Sequence, residues 1–144
     1  MTQLCLIGEC GFISVLKGFW IVQAFVSIFF AILFLQSGLD KVFDRKGNLE
    51  WLTGHFSKTF LKGTVPMMVT TLTIIELTAG TLSAIGVVEA VIFKTFCFSF
   101  AGTLFASLAF VMLFFGQRIA KDYAGAATIA AYFITAVVDL YFLA

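Results

Sequence analysis

A chain of 144 residues that is 61% hydrophobic, 12% charged and of mean hydropathy +1.07 is at most one domain and is not a water-soluble one. Soluble domains average roughly 45–50% apolar and about 25% charged residues, and a small domain leaves much of its surface in water. The net charge of +1, with no basic patch interleaved with aromatics, excludes nucleic acid as a partner.

The apolar segment before Lys17 reads either as an interfacial helix or as an extension of the first span. Cys5 and Cys10 within it are able to pair in an oxidising compartment, but with Cys97 they make no even disulfide framework. The first long apolar run starts late, near Phe19, and is about twice the length of a signal-peptide core, which argues against a cleavable leader. Glu9 beside Cys10 argues against lipoprotein processing.

A helix needs roughly 20 apolar residues to cross a hydrocarbon core of about 30 Å. Four windows qualify, at Phe19–Leu39, Val65–Ile85, Thr95–Phe115 and Tyr123–Leu143. They predict an all-α, integral membrane four-helix bundle. Pro66 suits the first turn of the second helix, and Asp122 is placed to cap the fourth. The windows are apolar nearly all round, unlike the striped helices of a soluble bundle. In the first loop, Leu49, Leu52, Phe56 and Phe60 share one helical face. This predicts a short amphipathic helix over Leu49–Leu61, lying at the interface with Trp51 as anchor or packed on the bundle end.

Lys41, Arg45, Lys46, Lys58, Lys62, Arg118 and Lys121 lie on the side of loops one and three, against Lys17 and Lys94 opposite. The excess predicts loops one and three in the cytoplasm and both termini outside.

Carboxylates inside a bilayer are costly and face the bundle interior or a cavity. Glu76, ten residues past Pro66 or about 15 Å along the helix, is predicted near the midplane, and Asp139 near the opposite surface. Depth matching brings Tyr132, Thr103 and Ser107 closest to Glu76, with Ser27 on the first helix. It places Lys41 at the surface, out of reach. Burial without a countercharge favours a protonated carboxyl. Glu76 is then either a proton-handling or quinone-contacting acid, or a structural group donating one interhelical hydrogen bond of about 0.6 kcal/mol.

Small residues mark close helix approach. The pairs Gly102/Ala106, Ala126/Ala130 and Ala127/Ala131, with Gly80 and Ala84, predict tight packing of helices two to four and offer faces for homodimerisation. Gln36, Asp40, Lys41, Asp44, Arg118, Lys121 and Asp122 collect at one end, where Arg118 and Asp122 are able to pair at i,i+4. They form either a specific polar cluster or ordinary solvated helix ends. One histidine, His55, and no CxxC give no set of metal, haem or iron–sulfur ligands, so no cofactor is expected.

The run Leu35-Gln36-Ser37-Gly38-Leu39-Asp40-Lys41, followed by Val65-Pro66 and Ile75-Glu76-Leu77-Thr78-Ala79-Gly80, resembles the DoxX family of small four-helix bacterial membrane proteins. That family's pattern ends helix one with a Gly and a Lys and carries Glu-x-x-x-Gly in helix two. Gly38, Lys41, Glu76 and Gly80 hold the matching positions, and the similarity runs from about Phe19 to the C-terminus. The resemblance implies a subunit of the bacterial inner membrane. The family's name comes from subunits associated with quinol oxidase and thiosulfate:quinone oxidoreductase chemistry, and some members assemble with redox-defence proteins. The chain lacks the clustered cysteines or histidines of catalytic members.

The leading expectation is therefore a non-catalytic subunit or scaffold of a larger respiratory or redox assembly, in contact with lipid and with other membrane subunits or its own copies. The first alternative is a quinone-interacting oxidoreductase subunit using Glu76. The second is a small transporter or lipid-binding protein.

Overall fold

Without water to satisfy backbone polar groups, a spanning segment has to close its hydrogen bonds internally, and an apolar chain with a single proline does so as helices. The computed structural model describes residues 2–144, with side chains from Gly18 onward. The helices are α1 (Thr2–Phe43), α2 (Arg45–His55), α3 (Val65–Val88), α4 (Cys97–Ile119) and α5 (Tyr123–Leu143). The segment before Lys17 belongs to α1; pairing of Cys5 with Cys10 lies outside the described side chains.

Four stretches are long and apolar enough to cross a membrane: Gly18–Phe43, Phe60–Phe93, Cys97–Ile119 and Tyr123–Leu143. Large apolar side chains stand outward along them, Phe25 at 68%, Ile32 at 61% and Ile134 at 63% exposure, as a lipid-facing surface demands. The protein is an all-α, multi-pass membrane bundle.

Local chemistry sets the boundaries. Pro66 opens α3 in its first turn. Asp122 caps α5 by accepting from Gly125 N at 2.9 Å, as its position in the sequence implied. The second span runs past its expected end at Ile85, through Val88 and a π-helical turn, Glu89–Phe93. It stops at Lys94, whose φ of 56° is left-handed. Consequently α4 begins at Cys97 and reaches Ile119.

The loop helix begins and ends earlier than Leu49–Leu61. Asp44 starts it by accepting from Gly47 N at 3.2 Å, and it gives way to a turn after His55. A short 3₁₀ segment, Phe60–Thr64, follows. Leu49, Leu52 and Phe56 pack against Val65, Val69 and Ile119, so α2 lies on the ends of α3 and α4 with Trp51 exposed. Phe60 leaves the expected face and is 79% exposed, and Leu61 is buried in its place.

The bundle is a row rather than a closed ring. α1 packs on α3, α3 on α4, and α4 on α5, while α1 and α5 meet mainly through long side chains such as Phe29 and Tyr132, with ring centroids 5.8 Å apart. Glycines set the close approaches. A Cβ on Gly80 would sit 2.8 Å from Leu35 N, and one on Gly102 would sit 2.8 Å from Ser83 N. At mid-bundle Phe30, Phe34 and Phe110 fill the interior, the last two with centroids 5.0 Å apart. Lipid is as apolar as these rings, so dense packing rather than escape from water holds them together.

Candidate functional site

The register of α1 against α3 builds the site. Gly38 lies against Leu77, and Leu35 against Gly80, so two turns of each helix meet backbone to backbone. A helical side chain leans toward the N-terminus of its own helix. The Lys41 stem accordingly runs back one turn, and its Nζ donates to Ser37 Oγ at 2.7 Å and to Ser37 O at 3.2 Å. From there Nζ reaches Glu76, at 2.9 Å from Oε2 and 3.2 Å from Oε1. Ser37 Oγ donates to Glu76 Oε1 at 3.2 Å and so bridges acid and base. Glu76 is fully buried, and its partner's side chain keeps 13% exposure.

This corrects the expectation of a Glu76 without a cation. Depth matching assumes that helices one and two start from a common plane. In fact α1 ends two residues after Lys41, while α3 begins eleven residues before Glu76, about 16 Å further along. α2 occupies the space beneath the end of α1. Lys41 is therefore level with Glu76, not a helix length away.

The expected partners of Glu76 are engaged elsewhere. Tyr132 packs edge-on and tilted against the rings of Phe29 and Phe110. Ser107 Oγ donates to Thr103 O at 2.9 Å. Thr103 belongs to a second polar cluster near the Lys94 end, where its Oγ1 lies 2.6 Å from Asp139 Oδ2. There Gln23 Nε2 donates to the same oxygen at 3.4 Å, and Ser27 and Ser99 hydroxyls pair at 3.1 Å. Aromatic rings of the core stand between the two clusters. Gly38, Lys41, Glu76 and Gly80 thus converge, whereas Tyr132, Thr103 and Ser107 do not join them.

The polar residues at the loop-one end do not form one cluster either. Lys41 turns inward, Asp44 and Asp122 cap helices, and Gln36 and Asp40 are exposed. α5 starts only at Tyr123, so Arg118 does not pair with Asp122 and instead lies over the Tyr123 ring, 4.9 Å from its centroid. His55 and Gln117 meet at 3.3 Å and tie α2 to α4.

One acid escaped the sequence reading. Glu89 is buried, and its carboxylate accepts from Cys97 N at 3.0 Å, Phe98 N at 2.7 Å and Thr95 Oγ1 at 3.0 Å. It satisfies the free amides and positive pole that open α4. Glu89 lies eight residues before α4 begins at Cys97, across the turn at Lys94, so no local capping pattern in the sequence marks it. Among the described residues, no three His, Cys, Asp or Glu side chains converge as a metal site requires.

No protein-family profile, curated protein or solved structure matches this chain.

Proposed function

We propose that the protein is a non-catalytic membrane subunit that seats a partner helix on α5. The observation that carries this reading is the bareness of the last span. Only 17% of its apolar window is buried within the bundle, against 33% in each of the other three. The small-residue pairs divide accordingly. Gly102 with Ala106 and Ala126 with Ala130 face neighbouring helices, while Ala127 and Ala131 stand exposed on α5 beside Thr128 and Thr135. A small-xxx-small face open to lipid suits close backbone contact with another span. The Lys41–Glu76 pair fits the same reading as a lock between α1 and α3: Glu76 is wholly buried and both its oxygens are engaged.

The motif shared with DoxX proteins, and the surplus of Lys and Arg on loops one and three, support a bacterial inner-membrane location with those loops cytoplasmic. A respiratory or redox assembly is the setting that this resemblance favours.

The test is purification in a mild detergent from the native membrane. The protein should travel with a stoichiometric membrane partner, and Ala131→Trp should release that partner while the helical content of the bundle is unchanged. An isolated monomer, or a partner retained by Ala131→Trp, would overturn the proposal.

A further inference from the structure

The row-like arrangement leaves a lateral groove between α1 and α5 at the Lys94 end, a cavity of about 320 Å³. Its walls are apolar, from Phe19, Val22 and Val26 on one side and Ile134, Val138 and Phe142 on the other. Gln23 and Asp139 form its polar floor. Val22 and Val138 are 59% and 49% exposed, so the groove opens sideways toward lipid. Asp139 lies sixteen residues past Tyr123, about 24 Å along α5, which puts the floor close to headgroup depth.

We propose that this groove binds an amphiphile with a protonated amine head and a single hydrocarbon chain, its ammonium paired with Asp139. Asp139 Oδ2 is in contact with Thr103 Oγ1 and Gln23 Nε2, but Oδ1 accepts no hydrogen bond from the described residues and keeps surface toward the groove. Among the described residues the ion pairs are Lys41–Glu76 and Lys46–Glu50, so no described cation pairs with Asp139. Asp139 thus turns a carboxylate oxygen to an apolar slot, and charge complementarity selects a cationic head over a neutral or anionic one.

Thr103 Oγ1 lies 2.6 Å from Asp139 Oδ2 and 3.0 Å from Ser99 O, so its one proton can turn to the carboxylate when an ammonium sits at Oδ1. Thr135 of the outward α5 face also borders the groove, so the two surfaces adjoin, and the isolated chain tests the groove apart from any partner on that face.

The experiment uses the full chain in phosphatidylcholine nanodiscs and a diazirine-bearing dodecylamine, with labelled peptides mapped by mass spectrometry. Labelling should fall on residues 19–26 and 134–142. Dodecylamine should suppress it, and dodecanol should compete on the order of 10- to 100-fold more weakly. Asp139→Asn should lose labelling by a similar factor. Val138→Trp, which fills the groove from its lipid side without touching the polar floor, should abolish labelling whether or not Asp139→Asn folds. Equal competition by dodecanol, labelling that maps elsewhere, or full labelling of Val138→Trp would overturn the proposal.

Discussion

Replacing Lys41 by Met isolates the contribution of the buried ion pair. The substitution keeps the length of the stem and removes the ammonium that lies 2.9 Å from Glu76 Oε2. Glu76, at 0% exposure, would keep only the 3.2 Å hydrogen bond from Ser37. An acid stranded in this way costs about 3–5 kcal/mol when it stays charged. Taking up a proton relieves part of that, so we expect a loss of about 3 kcal/mol. Glu76→Gln should cost less, about 1–2 kcal/mol, because the Lys41 side chain keeps its bonds to Ser37 and 13% of its surface, and its stem can swing to water. The double variant removes both halves and should fall short of the sum of the singles by about 2 kcal/mol. Reversible unfolding in mixed micelles, followed by tryptophan fluorescence, measures all three. Additivity within about 0.5 kcal/mol would refute the pair as a lock between α1 and α3.

Gly80→Val should disrupt the α1–α3 contact, since even a Cβ there would meet Leu35 N at 2.8 Å; a loss of about 3 kcal/mol or failure to fold is expected in the same assay. Glu89→Ala frees two backbone amides and the Thr95 hydroxyl at the start of α4 and should cost about 1–2 kcal/mol, with amide exchange speeding up first at Cys97 and Phe98. Ser83 Oγ is buried with no hydrogen-bond partner among the described residues, so Ser83→Ala should be neutral or stabilising by up to about 1 kcal/mol. A clear loss of stability there would contradict the described packing.

The spans were legible because a bilayer imposes a minimum length of apolar helix, and residues that stop or start helices mark its ends: Asp122 fulfils its expected capping role, and Pro66 sits in the first turn of α3. What eluded the sequence was register. Depth was counted along each helix from an assumed common plane, yet the glycine contacts Gly38–Leu77 and Gly80–Leu35 stagger α1 against α3. That stagger, together with the backward lean of the Lys41 stem, puts the lysine against Glu76. The same error assigned Thr103 to Glu76 when it belongs with Asp139, across the aromatic core. Of the residues that meet around the α1–α3 contact, Glu76 was legible as an intramembrane acid and Gly80 as a close-packing glycine, but depth counting left Lys41 at the surface, away from Glu76. The α1–α5 groove had no signature in the sequence, because it arises from which helices fail to pack.

Sidedness of the loops tests the four-crossing bundle most directly. With Cys5, Cys10 and Cys97 replaced by serine, single cysteines at positions 46, 94 and 121 can be labelled with an impermeant maleimide in sealed vesicles. Lys46→Cys and Lys121→Cys should react from one face of the membrane and Lys94→Cys from the other. Reaction of positions 46 and 94 from the same face, or of 46 and 121 from opposite faces, would contradict it.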